Sequence, residues 1–292
     1  MSSRNLLNLA LLCMAGILVL VIIYRPGFEP EAAPQTLTTL TGDTISRIFV
    51  TRTAREPLTF IRQAENWTLA GSSDLPANDL QIRSLLAILQ TPTARSYPAD
   101  SLELETLGLK PPQATIMLDD TRIDIGITDA LDKLRYVQTG DSVFLIADNY
   151  QHLINTDWPG FVTRKLLPKD ARLTRLQLPD MDLSLTADDQ WQLSGDAAAT
   201  SPAALQTLAS NWEQASAYYV RRYRQQAASE TITLEFSNHT EPLTLSIVTR
   251  TPELVLARPD LGIQYHLQAA TGEALLAIPD SNPEAKPHAG TP

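Results

Sequence analysis

The chain has 292 residues, 43% apolar and 19% charged, enough to build the cores of about two ordinary domains. Its formal charge of −10 and pI near 4.9 disfavour nucleic acid as a partner, because a phosphate backbone requires a concentrated cationic surface. The lone cysteine, Cys13, excludes an intrachain disulfide, a cysteine-rich zinc site and a CxxC pair. His152, His239, His266 and His288 lack metal-ligand spacing, so neither a metal nor a cofactor is expected.

The first predicted element is a membrane span. Leu6–Tyr24 is free of charge and carries one amide, Asn8. As a helix it covers roughly 29 Å, close to the hydrocarbon thickness of a bilayer. The run exceeds the apolar core of a cleavable signal peptide, about 7–15 residues, and no small-x-small site follows it closely. Cys13 lies inside the run behind Leu12, which is unlike a lipoprotein signal. The expectation is an uncleaved signal anchor, which in a Gram-negative bacterium would sit in the inner membrane. Residues 1–5 would form a cytoplasmic stub, with the large C-terminal part in the periplasm. Residues 25–42, rich in Pro, Thr, Ala and Glu, read as a flexible tether, and 279–292 as a disordered tail.

Two similar stretches follow, over 43–155 and 173–278, joined by a connector at 156–172. In the first, Ile45–Thr51 and Leu58–Gln63 alternate as strands, a turn falls at Ala64-Glu-Asn, and Trp67-Thr-Leu opens a third strand. In the second, Leu173–Leu178, Leu183–Thr186, a turn at Asp188-Asp-Gln and Trp191-Gln-Leu repeat the pattern. Trp67 and Trp191 would then occupy equivalent core positions. A helix comes next in each. Ile82, Leu85, Leu86 and Leu89 line one apolar face. Leu205, Leu208, Ala209 and Trp212 line the other, behind a Ser201 N-cap and Pro202 at the first helical position. Further strand pairs run to Ile146 and Leu267, so each copy reads β-β-β-α-β-β-β-β. The expected fold class is α+β, a transmembrane helix followed by two tandem homologous units, each an antiparallel sheet with one packed helix.

The run Leu107-Gly-Leu-Lys-Pro-Pro, the strand end Ile123-Asp-Ile-Gly and the segment Arg135-Tyr-Val-Gln-Thr-Gly-Asp-Ser-Val-Phe-Leu-Ile together resemble the bacterial DUF4340 family. The resemblance covers most of 43–278 and is strongest in the first copy, since the second lacks the Gly-Leu-x-Pro-Pro turn. It implies a single-span exported protein of unknown activity, encoded in many cases beside ABC transporter subunits. It supplies no catalytic residues.

No phosphate loop, GxGxxG, GxSxG or HExxH motif is present. Asp119-Asp120 and Asp188-Asp189 could be paired carboxylates for acid–base work, but both fall at predicted hairpin turns, where Asp accepts backbone hydrogen bonds. The one unusual cluster in this acidic chain is Tyr218, Tyr219, Arg221, Arg222, Tyr223 and Arg224. If extended, Tyr219, Arg221 and Tyr223 share one face, and Arg222 and Arg224 the other. Tyr and Arg are enriched in interface hot spots, whereas the plainer reading is an edge strand protected by charge. Trp158–Lys165 either faces the membrane or a partner, or packs the copies together. The leading expectation is a non-enzymatic scaffold or accessory subunit of a membrane complex, possible partners being ABC transporter subunits. The alternative is a binding module for a cell-envelope glycan or anionic lipid between the copies. An enzyme with a dispersed site is the third.

Overall fold

The computed structural model describes residues 35–279 apart from 72, 196–199 and 226–229, together with positions 12, 14–17 and 19. Most of the span expected at 6–24 lies outside the described residues, as do 25–34 of the tether and 280–292 of the tail. Among the described residues no helix is long and apolar enough to cross a membrane. The isolated N-terminal positions are helical, and Leu12, Met14, Ile17 and Val19 are exposed.

Alternating apolar side chains build two antiparallel sheets. The first half contains β1 (Arg47–Arg52), β2 (Leu58–Gln63), β3 (Asn66–Leu69), β4 (Leu75–Pro76), helix α1 (Asp79–Leu86) and β5 (Thr93–Pro98). It continues through β6 (Ala114–Leu118), β7 (Thr121–Thr128), β8 (Leu134–Thr139), β9 (Ser142–Ala147) and the short helix α2 (Gln151–Asn155). Its strand order is β4-β3-β2-β1-β6-β7-β8-β9-β5. The second half contains β10 (Leu173–Leu178), β11 (Met181–Leu185), β12 (Trp191–Leu193), helix α3 (Pro202–Gln214) and β13 (Tyr219–Arg222). Then come β14 (Glu230–Phe236), β15 (Leu243–Thr249), β16 (Leu254–Arg258), β17 (Ile263–Leu267) and helix α4 (Ala269–Leu276). Its order, β12-β11-β10-β14-β15-β16-β17-β13, repeats the first strand for strand without β4.

Register makes the correspondence specific. Leu69, Phe60, Ile48 and Leu118 face one another across β3, β2, β1 and β6. Leu193, Leu183, Leu176 and Leu234 do so across β12, β11, β10 and β14. Phe60, Ile48, Leu118, Leu183, Leu176 and Leu234 are all fully buried, each side chain stabilising its sheet by roughly 1.5–3 kcal/mol relative to exposure. Trp67 and Trp191, two residues before the ends of these rows, occupy matching buried positions as the alternation predicts.

Four features differ from the sequence expectation. Each half has a strand directly after its helix, β5 or β13, which joins the far edge beside β9 or β17. Apart from half-buried Thr93, β5 is exposed along its length, so it carries no apolar alternation to read. Each half also closes on a helix, α2 or α4. In place of one long helical face, α1 buries Ile82 and Leu85 and then tightens into a 3-10 turn, Ala87–Gln90, that buries Ile88 and Leu89. The end of the expected tether is docked as well. Leu37 is buried, its N–H donates to Thr91 O at 2.9 Å, and Thr93 N–H donates to Gln35 O at 2.7 Å.

The connector stitches the halves together. Asn78 N–H donates to Phe161 O (2.7 Å) and Thr163 N–H to Pro76 O (2.9 Å), fixing it beside β4. Ala217 N–H then donates to Arg164 O (2.8 Å), fixing it to the approach to β13. Phe161, fully buried, meets Phe60 at 5.4 Å between ring centroids, so the connector belongs to the core.

Candidate functional site

The Tyr/Arg cluster lies on and beside β13, the edge strand of the second sheet, which pairs with β17 in the register Tyr219 to His266 and Arg221 to Gln264. The alternation holds along the strand. On one face the Arg221 guanidinium stands 4.9 Å over the Tyr219 ring, which stacks on His266 at 4.3 Å. On the other, Arg222 stands 5.1 Å over Trp158 and 3.9 Å from Glu56, bridging the halves. Val220 between them is buried. Tyr223 has left the strand, its N–H donating to Gly262 O at 2.9 Å. With Trp158, Arg222 and Leu261 it lines a hollow of about 330 Å³ at the junction of the halves. Tyr218, 63% exposed, and Arg221 and Arg224 present the outward surface.

Beneath Tyr219 lies a polar set that the sequence did not single out. His266 Nδ1 meets Glu253 Oε1 at 2.7 Å, and Gln264 Nε2 meets His266 Nε2 at 2.8 Å. A neutral imidazole protonated on Nδ1 satisfies both contacts. The Tyr219 hydroxyl also donates to Glu253, at 3.1 Å. The hydrogen bond from His266 is the main cause holding the Glu253 carboxyl below its ordinary range. Burial, then the bond to Glu253, pushes Tyr219 up. The signal was Gln264 and His266 at a spacing of two on a strand whose other face is apolar; Glu253 gave none. The groups support Tyr219 and hold the edge strand in place.

A second region lies between the halves. A cleft of about 730 Å³ is walled by β3 and β4, by the connector from Thr163 to Asp170, and by Glu213, His239, Arg258 and Tyr265. Trp67, 8% exposed, and Tyr265, 2% exposed, line it. It adjoins a hollow of about 520 Å³ through shared Pro168, His239 and Arg258.

The acidic pairs are turn residues. Asp119 has φ +49° at the β6–β7 hairpin; burial pushes its carboxyl up, but hydrogen bonds from Ser46 and Arg47 outweigh this and lower it. The second half repeats the device with an amide, Asn238 Oδ1 accepting from Arg172 N–H at 3.0 Å. Asp189, φ +56°, caps the β11–β12 turn. Among the described residues no group of three or more His, Cys, Asp or Glu is placed to hold a metal ion.

The motif residues of the first half converge on one knot. Ile127 N–H donates to Leu107 O at 2.9 Å, and a Cβ on Gly126 would lie 2.3 Å from that same oxygen. Glycine at 126 is what allows the Leu107–Pro112 turn to lie on β7. Arg135, 2% exposed, donates through Nη1 to Gly126 O at 2.6 Å and to Gln113. Its Nε and Nη2 grip Asp148 at 2.6 and 3.0 Å, and Nη2 also reaches Gln151. All five guanidinium donors are used.

The fold and these sites define a mostly β protein of two antiparallel sheets with few helices, locked together by a shared connector and carrying an edge-strand surface and an inter-sheet cleft. A family model described as a domain of unknown function, DUF4340, matches residues 67–241, and the chain belongs to that family. The match runs from β3 to the β14–β15 turn, narrower at both ends than the expected 43–278. No curated protein and no solved structure matches the chain.

Proposed function

We propose that this chain is a non-enzymatic scaffold or accessory subunit, anchored by one N-terminal span, with its two duplicated halves in the periplasm docking a membrane complex of the ABC transporter kind. The observation that carries this reading is the outward surface of Tyr218, Arg221 and Arg224 on and beside the edge strand β13, which is braced from beneath by His266 and Glu253. Tyr and Arg are enriched in interface hot spots. The strand order that the halves share, β4 apart, supports duplication. The exposed apolar side chains of Leu12, Met14, Ile17 and Val19 support the anchor.

Crosslinking and pull-down of the full-length protein from native membranes tests the reading. A membrane-protein partner should be recovered with the native chain and lost when Tyr218, Arg221 and Arg224 are all changed to alanine. Recovery of nothing specific, or equal recovery with the triple variant, defeats it.

A further inference from the structure

We infer that the cleft between the halves is a binding site for an uncharged oligosaccharide. The inference stands apart from partner docking at β13 and holds whether or not a partner is found.

Two residues more than nine-tenths buried line the cleft, and their polar tips, the Tyr265 hydroxyl and the Trp67 indole N–H, have no protein partner among the described residues while still touching solvent. A buried Tyr or Trp ordinarily places its tip on a partner. Trp212 does so here, Nε1 donating to Leu275 O at 2.9 Å, and the Tyr150 hydroxyl meets Thr91 Oγ1. The exposed amides of Gln63 and Asn66, flanking the β2–β3 turn beside Trp67, also line the cleft and make no side-chain hydrogen bond among the described residues. The site therefore offers neutral donors and acceptors next to aromatic rings. Sugars complement that mixture, because each hydroxyl both donates and accepts and the C–H face of the ring packs on an aromatic face.

Charge selects among sugars. Asp74, Asp79, Asp170 and Glu213 line the cleft against Lys165 and Lys169, and Arg258 is claimed by Asp260 at 2.6 and 2.9 Å. The carboxylate excess opposes an anionic lipid headgroup or acidic glycan. Shape selects an oligomer. The cleft lies within the range of about 300–1,000 Å³ usual for small-molecule sites, and the adjoining hollow extends it into a trough.

The test is a titration of the full chain in phospholipid nanodiscs, free of glycoside detergent, read by tryptophan fluorescence. The probes are an N-acetylglucosamine tetrasaccharide, cellotetraose and a tetragalacturonate. Saturable change is expected with at least one neutral probe at micromolar to millimolar concentration, and a weaker response to the acidic one. Tyr265→Phe removes only the hydroxyl and should raise Kd about tenfold, the equivalent of one hydrogen bond, with Tm unchanged. Asn66→Ala, at an exposed turn, should weaken binding without touching the core. The inference is overturned if no neutral probe gives a saturable response, if both variants bind as the native chain does, or if the acidic probe binds best.

Discussion

Replacing Arg135 by Leu should destabilise the protein severely, and the loss should be largely reversed by a second change at Asp148. Arg135 and Asp148 have side chains 3% and 18% exposed and are joined by two hydrogen bonds of 2.6 and 3.0 Å. Removing the guanidinium leaves a partly buried carboxylate, which also accepts from Thr128 Oγ1 at 2.6 Å, without its counter-charge. Breaking a buried pair from one side costs about 3–5 kcal/mol, whereas replacing both members by apolar groups is often near neutral. For a domain this size that single loss lowers Tm by about 10 °C. The hydrogen bonds from Arg135 are the main cause holding the Asp148 carboxyl below its ordinary value. Its folded pKa is therefore lower than its unfolded pKa of about 3.9. The stabilisation is present above that unfolded value and is lost as pH falls through the folded one. Urea unfolding of Arg135→Leu, Asp148→Val and the double variant, from pH 7 down to pH 3, measures both effects. The reasoning fails if either single variant loses less than about 1 kcal/mol, or if the double loss equals the sum of the singles.

Gly126→Ala should cost at least about 2 kcal/mol, because its Cβ would meet a backbone oxygen that cannot move aside, whereas Gly140→Ala, with φ +56° and open space around it, should cost about 1 kcal/mol. Thermal melts of the two variants check the difference. Trp212→Phe should cost about 1–3 kcal/mol from the orphaned Leu275 carbonyl alone, and hydrogen exchange in α4 should rise with it, since that bond ties α3 to α4.

Elements with one apolar and one polar face were legible. β1, β2, β10 and β11 pair as their alternation predicts, and α3 begins behind Ser201 with Pro202 at its first position and buries Leu205, Leu208, Ala209 and Trp212. β5 was illegible because, half-buried Thr93 apart, its side chains are exposed and it joins the sheet through backbone pairing with β9 and not through an apolar face. Of the site, the Tyr/Arg run was visible as composition, and its two faces followed from strand period. Arg222 crossing to Trp158 was not visible, because that contact depends on how the connector folds back. The cleft was expected as a place, yet Tyr265 and Trp67 looked like ordinary core residues. An unpaired hydroxyl is a property of its surroundings, and sequence does not display those.

The correspondence of the halves carries a further lesson at β8 and β16. Aligning Leu134 with Leu254 by sequence is natural, but the pairing rows place it one residue off. Ile125, Val137 and Phe144 face one another across β7, β8 and β9. Ile247, Leu256 and Tyr265 do so across β15, β16 and β17. Two residues earlier on the middle strands, Arg135 opposite Ile146 corresponds to Leu254 opposite Leu267. Irregularities in both β7–β8 and β15–β16 pairings displace the sequence match. One position of the fold thus holds a buried arginine tied to α2 through Gln151 in the first half. In the second it holds a leucine so close to α4 that a Cβ on Gly272 would lie 2.7 Å from its own. The sheet tolerates either solution because each fills the space beneath the closing helix. The same shift makes Tyr265 the counterpart of half-buried Phe144, which has no hydroxyl. The halves therefore share a framework while differing at the positions where a charge or a hydroxyl is buried, and it is one of those differences that gives the cleft its polar tip.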